Sequence, residues 1–304
     1  MVFATFPSIP VISISDAQRR PVAGAGWIRT IHHGLPEQLL TPQPVRPTYF
    51  AFLGRISPEK AVDQAIWIAK RSGIPLKIAA KVDAVDRDYF ESEIRKRLTP
   101  PDVEYNGEIS DGEKSSFLSG AIALLAPIAW PEPFGLVLIE AMACGTPVIA
   151  FNRGSVPEIV EDGLTGFVVE SKEEAVAATD RLSRLSRGAI RRRFEERFTA
   201  RRMAREYLVV YRSLIELTDI HLRKSKSSSR QEAVIVQKQP SARAGAAVAA
   251  NPGYCCRRAA APKRDGRAGL SPTRTVNSGT PWSRLRYSLN APDTTLLTYR
   301  LLPI

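Results

Sequence analysis

The 304-residue chain has few cysteines, few histidines and no long hydrophobic run. Its three cysteines form no C-x-x-C pair and its three histidines have no metal-ligand spacing, which argues against a disulfide scaffold and the common zinc sites. No run of about 18 apolar residues occurs, so we expect no integral membrane segment. The first apolar stretch, Val2 to Ile14, lacks a basic leader and contains two prolines, which is typical of a strand and not of a signal peptide. This usage predicts a cytoplasmic, reducing environment.

Net positive charge is missing from most of the chain. Of the 43 Lys and Arg and the 31 Asp and Glu, 15 and 3 respectively lie at or after Leu222. Residues 1–221 therefore carry 28 charges of each sign, and the net charge of +12 belongs to residues 222–304. This segment is rich in Ser, Ala, Gly, Pro and Arg without periodicity, which predicts a basic disordered tail. It has sparse aromatics and no nucleic-acid-binding motif, so we do not expect nucleic acid as a partner.

The body of the chain alternates short apolar runs with helical patterns between Tyr49 and Val169. Continuous apolar runs such as Ala121–Pro127 are typical of strands covered on both faces. Strict β/α alternation predicts a doubly wound parallel α/β sheet over residues 46–170, of the Rossmann-like kind. Residues 171–221 have helical patterns and are predicted to form C-terminal helices.

Several helix boundaries are marked in the sequence. Gly73 stands where a C-terminal cap belongs, and Thr199 is placed to cap the last helix. Ser155 and Glu158 have the spacing of a capping box. Cys144 lies in an apolar run of small residues that ends a helix, and we interpret it as a core thiol.

A first polar cluster follows the strand predicted at Tyr49–Leu53. Gly54 lets a ligand approach the backbone, while Arg55 and Lys60 place two cations near the start of the next helix. Such an arrangement suits a diphosphate, because each charge-assisted hydrogen bond contributes about 1.5–3 kcal/mol. On this cluster alone, a solvated loop that starts a helix is an equal alternative.

A second cluster contains two glutamates, Glu132 in a loop and Glu140 about one turn into a helix. Both carboxylates can face one elongated ligand, and a carboxylate that accepts two hydrogen bonds suits the vicinal hydroxyls of a sugar or ribose. The amides of Phe134, Gly135 and Leu136 lie at the helix start, where they can meet anionic oxygen. The alternative is that one glutamate only complements the helix dipole and that the other is an exposed helix residue. It does not account for the Pro-Phe-Gly between them.

These motifs resemble those of glycosyltransferase family 4. The likeness rests on Gly54-Arg55 through Lys60, on Glu132-Pro-Phe-Gly-Leu through Glu140, and on Gly154-Ser-Val-Pro-Glu, and it extends from about residue 7 to residue 216. It implies one half of a GT-B fold, which consists of two facing Rossmann-like domains. It also implies a retaining transferase that takes its sugar from a nucleotide-diphosphate sugar and needs no metal or other cofactor.

The resemblance also implies a role for each residue. Gly54, Arg55 and Lys60 would bind the donor diphosphate. Glu132 would be the catalytic residue and would contact the transferred sugar. Ala61 stands where the family often has glycine, and we expect little consequence. The remaining assignments are Phe134, Gly135 and Leu136 for the sugar, Glu140 for the ribose, and Lys81 as a nucleotide contact.

The likeness covers the donor-binding half of such an enzyme. Residues 1–45 resemble only the end of the acceptor-binding domain that precedes it in the family, with His32-His33-Gly34 at the inter-domain crossing. Fixing two reactants in register supplies about 7–11 kcal/mol of barrier reduction, so we expect impaired turnover. The alternative is a non-catalytic nucleotide-sugar-binding or interaction module. His32 and His33 could touch a sugar, although a hinge role is favoured.

The same missing domain bears on the last helix, which in GT-B folds packs back on the first domain. The apolar stripe on this helix consists of Met203, Tyr207 and Leu214, and leaving it uncovered would favour self-association.

Asp86-Arg87-Asp88 has the D-x-D pattern that holds a metal in another glycosyltransferase fold. Here it opens a helix, where acidic residues are favoured, so we expect no metal.

Overall fold

The computed structural model describes the backbone of residues 8–236 and the side chains of residues 8–220. The strands in this part of the chain are β1 (Val11–Ser13), β2 (Trp27–Thr30), β3 (Tyr49–Arg55), β4 (Leu76–Lys81), β5 (Val103–Gly107), β6 (Ala121–Ala126), β7 (Val148–Phe151) and β8 (Gly166–Val169). The helices are α1 (Val62–Ser72), α2 (Asp111–Ser119), α3 (Leu136–Ala143), α4 (Val156–Ile159), α5 (Lys172–Thr179), α6 (Arg187–Arg197) and α7 (Ala200–Val236). Turns of 3₁₀ helix occupy Ala17–Val22, Pro58–Lys60 and Leu182–Arg184, and residues 84–97 form consecutive short 3₁₀, α and π segments.

The main sheet contains six parallel strands in the order β5-β4-β3-β6-β7-β8. The chain builds outward from β3 in one direction, returns, and builds outward from β6 in the other. The carboxyl ends of β3 and β6 therefore form the switch point at which open α/β sheets bind ligands. This topology confirms the predicted doubly wound, Rossmann-like sheet. Strands β1 and β2 form a separate two-stranded parallel sheet.

Apolar side chains cover both faces of the main sheet. One layer packs α1 and α5 against the sheet around Phe50, Ile78 and Ile149, and the other packs α3 and α6 around Leu124 and Leu138. Continuous apolar strands are what a sheet buried on both faces requires. The second layer includes Cys144, and burial raises the pKa of its thiol to about 11. The prediction of a core thiol is confirmed.

Most of the predicted helix boundaries are confirmed. Gly73 ends α1 in the left-handed conformation, at φ 66°. The Oγ1 of Thr199 accepts the Arg202 amide at 3.2 Å near the start of α7. The predicted capping box at Ser155 is wrong: the Ser155 backbone is already helical, and the Glu158 carboxylate binds amides far away in the chain.

The exposed surface of α7 differs from the predicted stripe. Met203, Tyr207 and Leu214 are half-buried, whereas Leu208 and Ile215 expose 52% and 62% of their surface. Self-association stays a prediction, and any such contact would use Leu208 and Ile215 more than the three predicted residues. Helix α7 continues past residue 221, to Val236. The predicted disorder of residues 237–304 lies outside the described part of the chain. No helix within residues 8–236 is both long and apolar enough to cross a bilayer.

Candidate functional site

A cleft opens at the switch point, where β3 and β6 end. It has two adjoining parts, which share Leu53, Gly54 and Val137 in their walls. The part that contains Glu132, called here the Glu132 half, has a volume of about 370 Å³. The part that contains Glu140, called here the Glu140 half, has a volume of about 260 Å³. One elongated ligand can therefore meet both glutamates.

The Glu132 half is organised around a lysine–glutamate ion pair. Lys60 Nζ lies 2.5 Å from Glu132 Oε2, and Trp130 Nε1 donates to the same oxygen at 3.0 Å. Glu132 exposes only 7% of its surface. The ion pair compensates the burial of both charges, because an unpaired carboxylate at such a position would cost several kcal/mol.

The backbone of Glu132 packs closely against the loop before α4. The Ser155 amide donates to the Glu132 carbonyl at 2.9 Å. Gly154 adopts φ 58°, and a Cβ atom there would lie 2.2 Å from the Glu132 carbonyl oxygen. Only glycine allows these two backbone segments to approach so closely. The Gly154-Ser155 pair therefore fixes the position of Glu132 from a segment more than 20 residues further along the chain.

The N-terminal segment supplies the side wall of the Glu132 half, through Ile14 and His33. Ser15 Oγ donates to the Pro133 carbonyl at 2.5 Å, which joins this segment to the glutamate loop. The His33 imidazole packs edge-on against Phe134, with ring centroids 4.9 Å apart. Burial, with smaller contributions from the positive charges of Arg202 and His32, lowers the pKa of His33 below its usual value of 6.5.

Glu158 fixes the same N-terminal segment through hydrogen bonds to its backbone. Its two carboxylate oxygens accept the amides of Asp16 and Ala17 at 2.8 and 2.7 Å. His32 Nε2 lies 3.4 Å from one of these oxygens. Arg202 donates to the carbonyls of His32 and His33 at 2.7 and 3.0 Å. Both histidines therefore belong to a tightly bonded frame, and of the two only His33 lines the cleft.

The Glu140 half is organised around a second lysine–glutamate pair. Lys114 Nζ lies 3.0 Å from both Glu140 Oε1 and Asp111 Oδ1. Burial opposes the charged form of this lysine. The hydrogen bonds and negative charges of Asp111 and Glu140 outweigh that effect, so the pKa of Lys114 lies above its usual value. Lys81 and Glu108 complete the polar wall.

Arg55 lines neither half of the cleft. It is in register with Lys81 on the neighbouring strand. Its guanidinium lies 3.6 Å from both Asp83 and Asp86, and 4.0 Å from Glu59. Lys81 also pairs with Asp83, at 3.0 Å. The structure thus separates Arg55 from Lys60, although the two cations are only five residues apart.

The other predicted site residues divide between the two halves. Glu140 and Lys81 line the Glu140 half. Among the described residues, no group of three or more His, Cys, Asp or Glu is placed to hold a metal. Asp86, from the D-x-D triplet, is instead an ion-pair partner of Arg55. The Glu132 half contains Gly54, Lys60, Glu132, Phe134, Gly135 and Leu136.

Sequence reasoning missed two of the residues that form this site. The sequence motifs assign no role to Lys114, and its partner Glu140 lies 26 residues away. The sequence spacing predicts a local cap for Glu158, and its partners in the structure lie more than 140 residues away. Neither pairing has a spacing signal in the sequence, because the first depends on how α2 and α3 pack and the second on where the N-terminal segment lies against α4.

The chain is similar in sequence to known proteins. Residues 41–201, more than half of the chain, match the family described as glycosyl transferases group 1. D-inositol 3-phosphate glycosyltransferase of Mycobacterium sp. (strain KMS) is 36% identical over 156 residues, which cover 47% of this chain and 33% of that protein. The homologue of the same name from Mycobacterium bovis (strain BCG / Pasteur 1173P2) is 35% identical over 176 residues, which cover 53% and 34%. The chain thus spans about a third of the length of these relatives.

The fold of the chain is similar to the folds of solved structures. Anabaena Alr3699/HepE in complex with UDP and glucose superimposes with a TM-score of 0.61 at 19% identity, covering 70% of this chain and 66% of that one. Sucrose-phosphate synthase from Thermosynechococcus elongatus superimposes with a TM-score of 0.62 at 26% identity, covering 71% and 61%. The Rossmann-like sheet therefore matches structures of the GT-B kind.

Proposed function

The chain belongs to the family of glycosyl transferases group 1, and on this premise we propose that it binds a nucleoside-diphosphate sugar and transfers the sugar to an acceptor hydroxyl. The observation that carries the proposal is the division of the cleft. Glu132 and Glu140 lie in adjoining halves, and each is paired with a lysine. A nucleotide sugar has the same order of parts: sugar, diphosphate and nucleoside.

Lys60 is the side chain that we assign to the diphosphate, and we extend this assignment to the start of α3, which the family resemblance assigns to the sugar. Lys60 lines the Glu132 half, as do Gly135 and Leu136 at the helix start. The amides of a first helical turn have no partner within the helix and stabilise negative charge. Positive charge placed where the leaving diphosphate develops its own charge lowers the barrier for breaking the bond to the sugar.

Glu132 and Glu140 are the groups that we assign to hydroxyls. A carboxylate accepts hydrogen bonds from two neighbouring hydroxyls, and each such bond to a charged group contributes about 1.5–3 kcal/mol. Glu132 would bind the transferred sugar and take the catalytic role, and Glu140 would bind the ribose. In the reaction, an acceptor hydroxyl forms a bond to the anomeric carbon as the bond to the diphosphate oxygen breaks, and the hydroxyl proton passes to the departing diphosphate. The resemblance to glycosyltransferase family 4 favours retention of the anomeric configuration.

The second candidate is a module that binds a nucleotide sugar without transferring it. Arg55 favours this candidate, because its guanidinium is engaged by Asp83 and Asp86 and does not line the cleft. In such a module the diphosphate would be bound with one side-chain cation fewer than the sequence motif predicts.

Two measurements on the whole chain separate these candidates. The first is calorimetric binding of UDP-, GDP- and ADP-glucose and of the free diphosphates. The second is release of nucleoside diphosphate with a panel of acceptors that includes inositol phosphates and hexose phosphates, because the named relatives suggest phosphorylated acceptors. Donor binding with acceptor-dependent release supports transfer. Binding without release supports the module, and absence of binding contradicts both.

Lys60→Met tests the assigned diphosphate contact. We expect its affinity for the donor to fall about tenfold or more, because a charge-assisted hydrogen bond is lost. Lys70→Met is the matched control, since Lys70 is an exposed lysine in the last turn of α1. An equal loss in both variants would contradict the assignment of Lys60.

A further inference from the structure

We propose that His33 is a specificity-determining residue of the Glu132 half, where its imidazole binds a hydroxyl of the sugar. The inference rests on the proposed function, since it requires a nucleotide sugar in the cleft. It concerns a residue that the sequence motifs of the site do not include. His33 lines the same half as Lys60 and Glu132 and lies outside the Glu140 half.

Two neighbouring histidines have different partners, and this difference singles out His33. The His32 imidazole is paired with Glu158 at 3.4 Å. Within residues 8–220, no protein group forms a hydrogen bond with either ring nitrogen of His33, whose ring contacts Phe134 at its edge. A half-buried imidazole whose nitrogens have no protein partner is free to bind a ligand.

The backbone around His33 is fixed on several sides. Arg202 binds the carbonyls of both histidines. Gly34 is so close to the Thr199 backbone that a Cβ atom would lie 2.3 Å from its carbonyl oxygen. Leu35 continues this contact as an isolated parallel bridge with Thr199. A side chain on so rigid a support offers its nitrogens at a defined position, which is what discrimination between sugars requires.

The electrostatic surroundings favour the neutral imidazole. Arg202 and His32 place positive charge beside His33, and burial acts in the same direction. A neutral imidazole has one N–H donor and one acceptor nitrogen, and both are suited to a hydroxyl group. Glu132, in the same half, can only accept hydrogen bonds when ionised. The two residues therefore offer complementary hydrogen bonds to one sugar.

The test compares binding of UDP-glucose with binding of UDP, using the whole chain and calorimetry. His33→Phe keeps an aromatic ring against Phe134 and removes both nitrogens. We expect it to weaken UDP-glucose binding about fivefold to tenfold and to leave UDP binding unchanged, because one hydrogen bond to the sugar is lost. His33→Gln, which keeps a donor and an acceptor, should recover part of the loss. The neighbouring control, His32→Gln, should retain the wild-type difference between the two ligands.

Monodeoxy analogues of UDP-glucose identify the hydroxyl involved. Removing the hydroxyl that His33 contacts should weaken binding to the wild type and have little effect on His33→Phe. The inference is overturned if His33→Phe keeps the full gain from the sugar, or if UDP binding falls by the same factor. It is also overturned if every deoxy analogue behaves alike in both proteins. A wild type that binds UDP but gains nothing from glucose contradicts this inference alone, whereas no binding of any nucleotide sugar contradicts the proposed function as well.

Discussion

The two halves of the cleft use the same pair of charges in different structural settings. Glu132 lies in a loop with Trp130 and depends on contacts from two distant segments, namely Lys60 and the Gly154 loop. Glu140 lies on a helix and meets Lys114 from the neighbouring helix. The first half is therefore a product of tertiary structure, and the second depends mainly on how α2 and α3 pack. Substitutions should damage the two halves in different ways.

Gly154→Ala should have the largest effect, and it should act on the Glu132 half. The new Cβ would clash with the Glu132 backbone, and the φ of 58° is itself unfavourable for alanine. We expect the free energy of unfolding to fall by about 3 kcal/mol, as measured by urea denaturation. Gly163→Ala is the matched control, with φ 74° and no atom within 4 Å of the new Cβ. It should cost only about 1–2 kcal/mol, and equal losses would contradict the close seating of Glu132.

Replacing each glutamate by glutamine should separate the halves by ligand. Glu132→Gln should weaken binding of UDP-glucose about tenfold without weakening that of UDP, because the negative charge beside Lys60 is removed along with the sugar contact. Glu140→Gln should weaken binding of both ligands, because the contact to ribose is common to them. The measurement is calorimetry with both ligands, and Glu173→Gln, on the exposed surface of α5, is the control. Equal effects of the two substitutions on UDP would contradict the division.

The same comparison shows how far the sequence could lead. The strands, the switch point and the helix start after Gly135 follow from local patterns of apolar residues and turns. The lysine partners do not, since Lys60 reaches Glu132 over 72 residues and Lys114 reaches Glu140 over 26. Arg55 shows the limit most clearly. Its motif predicts a phosphate contact, and its position beside the acidic loop after β4 gives it other partners.

Ala61 directly follows Lys60, and we expect that alanine in place of glycine has little consequence there. The backbone conformation of Ala61 makes this expectation testable. It adopts φ 50°, a left-handed conformation that costs a residue with a Cβ about 1–2 kcal/mol. We therefore expect Ala61→Gly to be nearly neutral, because relief of this strain offsets the added chain entropy and the lost methyl burial. Ala65→Gly, at an equally buried position inside α1, should cost about 1–2 kcal/mol. Equal losses in thermal or urea unfolding would show that Ala61 is unstrained.

The smallest effect should appear in the pH dependence of stability, where the two halves respond on opposite sides of neutrality. The pKa of His33 is lowered from 6.5 in the folded protein, so below about pH 6.5 the unfolded chain binds a proton more readily than the folded chain does. Relative to His33→Phe, the wild type should therefore lose stability as the pH falls from 7.5 to 5.5.

The pKa of Lys114 is raised from 10.5, so its stabilising contribution is complete throughout this range and is lost only as the pH rises above 10.5. The difference in free energy of unfolding between wild type and Lys114→Met should stay constant from pH 5.5 to 7.5. If the difference in free energy of unfolding between wild type and His33→Phe also stays constant, the imidazole takes up a proton as readily in the folded protein as in the unfolded chain. The wall that it forms would then be open to water.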